Sequence, residues 1–127
     1  MKLHSDNSFG LNTITGYGPG YVKVNNKRYD GSVIVDPKSI LTGWTAKTVD
    51  GLTEEQLEPL LGRACDVILI GTGDRQRFPS PTVLRPLIES LTKARVGVEI
   101  MDTAAACRTY NILTAEGRTP VAALIVE

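Results

Sequence analysis

Histidine is almost missing from this 127-residue chain: the one residue of that type is His4, in a polar N-terminal stretch. Mechanisms built on a Ser–His or Cys–His pair need an imidazole held rigidly beside the nucleophile. A lone histidine in a leader, where order is least expected, does not supply one. Cysteine is scarce too. Cys65 and Cys107 are far apart, with no C-x-x-C, which offers neither a disulfide framework nor a zinc site and suits a reducing compartment. No window approaches the roughly 18 consecutive apolar residues that span a bilayer, so no direct membrane insertion is expected. The opening "MKLHSDNSFGLNTITGYGPG" lacks the apolar core of a signal peptide. Net charge is absent as well, since 14 basic and 14 acidic side chains cancel. A neutral chain has no general pull on nucleic acid or anionic lipid, and no basic stripe interleaves with aromatics. These absences lead to the expectation of a cytoplasmic protein with no nucleic-acid partner, no cofactor and no metal.

What is present is ordinary globular material, 42% hydrophobic and 22% charged, enough for one core. A single domain over residues 1–127 is expected, with 1–14 as a loosely ordered leader. Up to about residue 50, "YVKV" (Tyr21 to Val24) alternates, "NNK" marks a turn, and "SVIV" (Ser32 to Val35) is a second β-branched run. Together they predict a small antiparallel meander, with Trp44 packed on its face. In "GLTEEQLEPLL", Thr53 caps a helix, Gln56 completes a capping box, and Leu52 and Leu57 form the matching staple. Pro59 keeps that helix short. Two buried-type strands follow in "CDVILIGTG" and "VGVEIMD", and "VAALIV" is a last strand. Between them, one helix is predicted from Ser80–Pro81 to about Ala94 and another from Thr103 to about Ala115, ended by Gly117. The alternation predicts βαβ units. The fold class expected is α/β, a mixed and mainly parallel sheet with helices, plus the N-terminal antiparallel meander as an extra layer.

If the strands ending at Ile70 and Met101 are parallel neighbours, their C-terminal ends share the sheet edge where ligand clefts form. That edge would hold Gly71, Thr72, Gly73, Asp74, Arg75 and Arg77 from one loop and Asp102 and Thr103 from the other. Gln76 stands where a dinucleotide fingerprint needs its third glycine, and no phosphate-binding G-x-x-x-x-G-K-[ST] occurs. Two readings of the loop stay open: an anion pocket of backbone N–H groups with Arg75 and Arg77, or a flexible connection with solvated arginines. Asp102 reads as a ligand or acid/base group, or as a helix cap with Thr103. Cys107 reads as a thiolate activated by the helix N-terminus and Arg108, or as a buried structural thiol. It lies a full turn inside the helix, where the dipole fades. A helical wheel puts Cys107, Asn111 and Thr114 on a small, polar side, and Tyr110, Ile112 and Leu113 with Ala105 and Ala106 on an apolar side. The small side suits close approach of another backbone, or the lining of a cleft.

Taken together, "VILIGTG", "FP", "GVEIMDTAAACRTYNIL", "EGR" and "VAALIV" resemble a widespread family of small α/β proteins. Its members include the mitochondrial NADH dehydrogenase (complex I) assembly factor 3 and an adipogenesis-associated relative. The resemblance covers about Thr15 to Ile125. The matching motif positions are Gly71, Gly73, Phe78, Pro79, Asp102, Thr103, Cys107, Thr109, Asn111, Glu116, Gly117 and Arg118, with Arg108 beside them. The resemblance implies a compact fold with a mixed sheet, no established catalytic residue, and action by binding other proteins during assembly of a membrane respiratory complex. Bacterial relatives are often encoded near protein-export membrane components. With no transit peptide, the chain is expected to be a bacterial member. The leading expectation is therefore a non-catalytic protein-binding or assembly module whose partner is a membrane-complex subunit or export component. The alternative is an enzyme or sensor that binds a small anionic ligand at the GTG/DT edge.

Overall fold

The computed structural model describes residues 10–127; His4 and the first nine residues of the expected leader lie outside them. Strands β1 (Ile14–Gly18), β2 (Tyr21–Val24) and β3 (Lys27–Tyr29) come first, followed by β4 (Val33–Val35) and β5 (Ile40–Leu41). Helix α1 (Glu54–Leu57), β6 (Val67–Gly71), α2 (Pro81–Lys93), β7 (Gly97–Met101), α3 (Thr103–Ala115) and β8 (Pro120–Leu124) complete the chain. The first three strands form an antiparallel sheet, and the other five a mixed sheet in the order β5-β4-β8-β6-β7. Strand β6 runs parallel to both β7 and β8, whereas β4 is antiparallel to β8 and to β5. This is the α/β class expected, with its antiparallel meander.

The meander is built differently from the prediction. Asn25 and Asn26, at φ +53° and +69°, make the two-residue turn that suits a twisted hairpin. The strand after them is β3, not the "SVIV" run. Val33 to Val35 are all buried, and a run without polar alternation needs cover on both faces. It finds that cover in the main sheet, with Val33 opposite Leu124 and Val35 opposite Ala122. Trp44 is not on the meander either. It packs with Leu52, Leu57, Leu60 and Leu87 in the core on the α2 side, and its indole N–H donates to the Gln56 carbonyl at 2.7 Å. Strand β7 is an edge strand rather than a buried one: Gly97 and Glu99 are exposed, while Val98 and Ile100 pack inward.

Side-chain alternation divides the main sheet between two cores. Ile34, Ile68, Ile70, Val121 and Ala123 face α1 and α2. Val33, Val35, Val67, Leu69, Ala122 and Leu124 join Ala106, Cys107 and Tyr110 of α3 with Ile14, Val22 and Val24 of the meander. The helix ends follow local chemistry. Thr53 and Gln56 make both bonds of the capping box, and Ser80 caps Thr82 ahead of Pro81. Past α3, Gly117 sits at φ +83°. Its N–H reaches the Thr114 carbonyl at 3.0 Å and the Arg118 N–H reaches that of Leu113 at 2.9 Å, a Schellman ending that explains the "EGR" run.

Candidate functional site

From β6 the chain crosses on one face to β7, then returns through α3 on the other face to β8, on the opposite side of β6. The strand order therefore reverses at β6 and β8, and the crevice beyond their carboxyl ends is where open α/β sheets place ligands. The GTG loop and the DT cap meet there. The Thr103 hydroxyl donates to the Ile125 carbonyl at 2.7 Å and accepts the Gly73 N–H at 2.9 Å, while the Thr103 N–H reaches the Gly73 carbonyl at 2.9 Å. One buried threonine thus ties the β6 loop, the start of α3 and the end of β8 together. Gly71 has to lack a side chain, because a Cβ would lie 2.9 Å from the Thr103 backbone. The Thr72 hydroxyl donates to the Arg75 carbonyl at 2.6 Å and accepts the Arg77 N–H at 3.2 Å, folding the loop over. Asp102 accepts the Ala105 N–H at 2.8 Å as the cap of α3.

A cleft of about 500 Å³ opens beside this clasp, lined by Tyr17 to Tyr21 of the β1–β2 hairpin, Gly73, Asp74, Asp102 to Ala104, and Ile125 to Glu127. Of the edge residues singled out in the sequence, Gly73, Asp74, Asp102 and Thr103 reach its wall. Gly71 and Thr72 are buried, and Arg75 and Arg77 are not part of the wall. Arg75 is exposed. Arg77 pairs with Glu127 at 2.7 Å and Asp50 at 3.1 Å. An anion at the α3 N-terminus would meet the Asp102 carboxylate already placed there. The hairpin residues Tyr17 and Tyr21, and Glu127, escaped the sequence reading. "GYGPGY" served it only as punctuation, although two aromatics flanking a glycine–proline tip were the available signal.

The helix residues of the motif act elsewhere. Cys107 is wholly buried, and burial, outweighing the opposing pull of Arg108, pushes its thiol up to about 12. It is therefore a thiol rather than a thiolate at neutral pH. Asn111 lies where the small face predicted close approach. Its side chain accepts the Ile14 N–H at 3.0 Å and donates to the Ile14 carbonyl at 2.7 Å, clipping β1 to α3. The Tyr110 hydroxyl donates to the Asn12 carbonyl at 3.0 Å, and burial raises its pKa. Arg108 is exposed and reaches the Tyr17 hydroxyl at 3.0 Å. Ile112, assigned to the apolar side by the wheel, is instead 57% exposed. The sheet meets α3 along the arc of Ala106, Cys107 and Tyr110, which leaves Ile112 pointing away. Glu116 and Gly117 end the helix, and Arg118 pairs with Asp66 at 3.6 Å on the surface.

The family model for proteins of unknown function DUF498/DUF598 matches residues 14–125. The chain belongs to that family. Among relatives of this DUF498/DUF598 chain, NADH dehydrogenase (ubiquinone) 1 alpha subcomplex assembly factor 3 of Drosophila melanogaster is 34% identical over 126 residues. That alignment takes in 97% of this chain and 62% of the relative, so the chain spans less than two thirds of the relative's length. A crystal structure from Bordetella parapertussis is 42% identical with a TM-score of 0.80, over 92% of this chain and 97% of that one. A protein of Bartonella henselae described as an outer membrane protein is 30% identical with a TM-score of 0.76, over 91% and 95% of the two chains. The family and the fold implied by the sequence motifs are both shown.

Proposed function

We propose that this chain is a non-catalytic protein-binding module that assists assembly of a membrane respiratory complex. The observation that carries the reading is the alignment of the Drosophila assembly factor, 34% identical, with 97% of the chain. The geometry supports it, since Thr103, Cys107, Asn111 and Gly117 hold the fold together. The proposed partner is a subunit of the membrane complex or an export component, met from the cytoplasmic side in a bacterial cell. Among the described residues no helix is long and apolar enough to cross a membrane. The test is affinity capture of the tagged protein from native membranes, with native-gel analysis of the complex in a deletion strain and fractionation of the tagged protein. Recovery of NADH dehydrogenase subunits and less assembled complex are expected. Reproducible recovery of no such subunit, with complex levels unchanged, overturns the reading.

The second reading, a small anionic ligand at the same edge, rests on the position of the cleft at the strand-order reversal. Among the described residues the wall has no basic side chain for it. Titration with inorganic phosphate that leaves the amide resonances of Gly73, Thr103 and Ala104 unmoved eliminates this reading.

A further inference from the structure

Among the described residues the two sheets end in four edge strands, and three of these are protected. Strand β5 has two residues, and β3 has three, of which Lys27 and Arg28 are cations. Strand β1 is bulged between Ile14 and Gly16 and has Asn111 on the Ile14 backbone. Short length, cations and bulges all keep an edge from pairing. Strand β7 differs, with five residues in unbroken parallel register with β6. Alternate residues of a strand turn their backbone groups to the same neighbour. The Gly97 N–H donates to the Asp66 carbonyl at 3.2 Å, and the Met101 carbonyl accepts the Thr72 N–H at 2.9 Å. Gly97, Glu99 and Met101 therefore face β6 with their backbone groups, and Val98 and Ile100 turn theirs outward. Of these outward groups only the Ile100 carbonyl has a partner among the described residues, the side-chain amide of Gln76 at 2.9 Å. That amide is a peptide group without a chain, set where a further strand would place its N–H.

We propose that an extended segment of the partner protein adds to β7 as a further, antiparallel strand and displaces Gln76 from the Ile100 carbonyl. The Val98 N–H and carbonyl and the Ile100 N–H then gain main-chain partners. Apolar surface for the added side chains lies nearby. Helix α2 packs on β7 and leaves Ile88, one turn beyond Leu84, 39% exposed. Phe78, two residues past Gln76, is 65% exposed. A second copy of the chain does not suit this edge. The antiparallel register that uses every outward group sets Val98 opposite Ile100 and the exposed Glu99 opposite itself. That is a like-charge pair at the closest cross-strand spacing. A segment with a basic residue opposite Glu99, flanked by apolar residues opposite Val98 and Ile100, makes the same backbone bonds without the repulsion. The edge deepens the assembly reading and rests on it for the existence of a protein partner.

The experiment reads amide resonances and hydrogen exchange of the full chain, alone and with a capped threonine–valine–lysine–valine–threonine peptide. In the free chain the Val98 and Ile100 amides should exchange faster than those of Glu99 and Met101. Peptide should slow exchange at Val98 and Ile100 and shift the Gln76 side-chain amide, leaving Glu99 and Met101 as they were. Glutamate in place of the central lysine should weaken binding about threefold, and Glu99→Lys should reverse that order. A peptide methylated on both valine nitrogens, which face β7 in this pairing, should not bind. Val98→Pro removes an N–H that β6 does not use and should prevent binding with the circular dichroism spectrum kept. Should that variant not fold, Glu99→Lys carries the test. A Val98 amide already protected in the dilute free chain, peptide shifts away from β7, or equal binding of the methylated peptide overturns the proposal. Dimerisation of the chain that itself slows exchange at Val98 and Ile100 makes the occupant a second copy and overturns it too. Membrane capture separates the two readings. If Val98→Pro and Glu99→Lys recover the same respiratory subunits as the unaltered chain, the edge proposal falls and the assembly reading stands. Peptide pairing at β7, with no respiratory subunit captured by the unaltered chain, keeps the edge and removes the assembly reading.

Discussion

Asn111 supplies from its side chain the pair of hydrogen bonds that a neighbouring strand would give Ile14 from its backbone. Replacing it with alanine leaves a partly buried N–H and carbonyl without those partners. Asn111→Ala should therefore lower unfolding free energy by about 2 kcal/mol, read by urea denaturation, and speed hydrogen exchange of the Ile14 amide. Asn111→Asp keeps an acceptor but no donor, and should fall between the two. Asp36 governs a pH effect. Burial alone pushes its carboxyl up, but the Ser39 hydroxyl, the Lys38 and Ser39 N–H groups and the Arg63 guanidinium at 2.8 Å hold it below its ordinary 3.8. A depressed folded pKa means the unfolded chain binds the proton first as pH falls. Its stabilisation is thus fully present above the ordinary carboxylate value and disappears as pH drops through the lowered one. The stability difference between the unaltered protein and Asp36→Asn should shrink over that acid range in denaturation curves taken across pH. From the sequence, Asn111 could be seen as part of a small face. Its partner could not, because Ile14 lies 97 residues away.

Elements whose determinants are local were legible. The capping box of α1, the Ser80–Pro81 start of α2 and the glycine ending of α3 each depend on contacts within a few residues. Gly117 tests this directly. At φ +83° a side chain is strained, so Gly117→Ala should cost about 1 kcal/mol in thermal or urea unfolding. Gly31→Ala, where φ is ordinary and no atom lies within 4 Å of the added Cβ, should be nearly neutral. Elements defined by distant partners were misplaced. The β-branched run of β4 looks the same in a hairpin as in a central sheet, and only β8, far along the chain, decides between them. The edge position of β7 was hidden for the same reason, because burial of a strand depends on what flanks it. The cleft repeats the pattern. Its GTG and DT walls lie at predicted strand ends, whereas the hairpin wall reaches it only through packing of β1 on α3.

At the scale of the whole molecule, the N-terminal and C-terminal parts do not separate. Strand β4 precedes all three helices yet pairs with β8, and the meander shares a core with α3. Such interleaving predicts one cooperative transition. Trp44, the single tryptophan, is buried in the core on the α2 side, so its fluorescence reports that core while far-UV circular dichroism reports all elements. The two denaturation curves should coincide, and a midpoint for Trp44 separated from the other would show that one core opens first. Strand β8 lies between β4 and β6 but is synthesised after both. Until Leu124 has left the ribosome, those two strands have no neighbour on their facing edges, and their apolar residues have no complete core to enter. The main sheet therefore cannot close piece by piece as the chain emerges. The hairpins of the meander and the β6–β7 pair can form earlier, but the five-stranded sheet stays open, and within reach of chaperones, until its central strand is delivered.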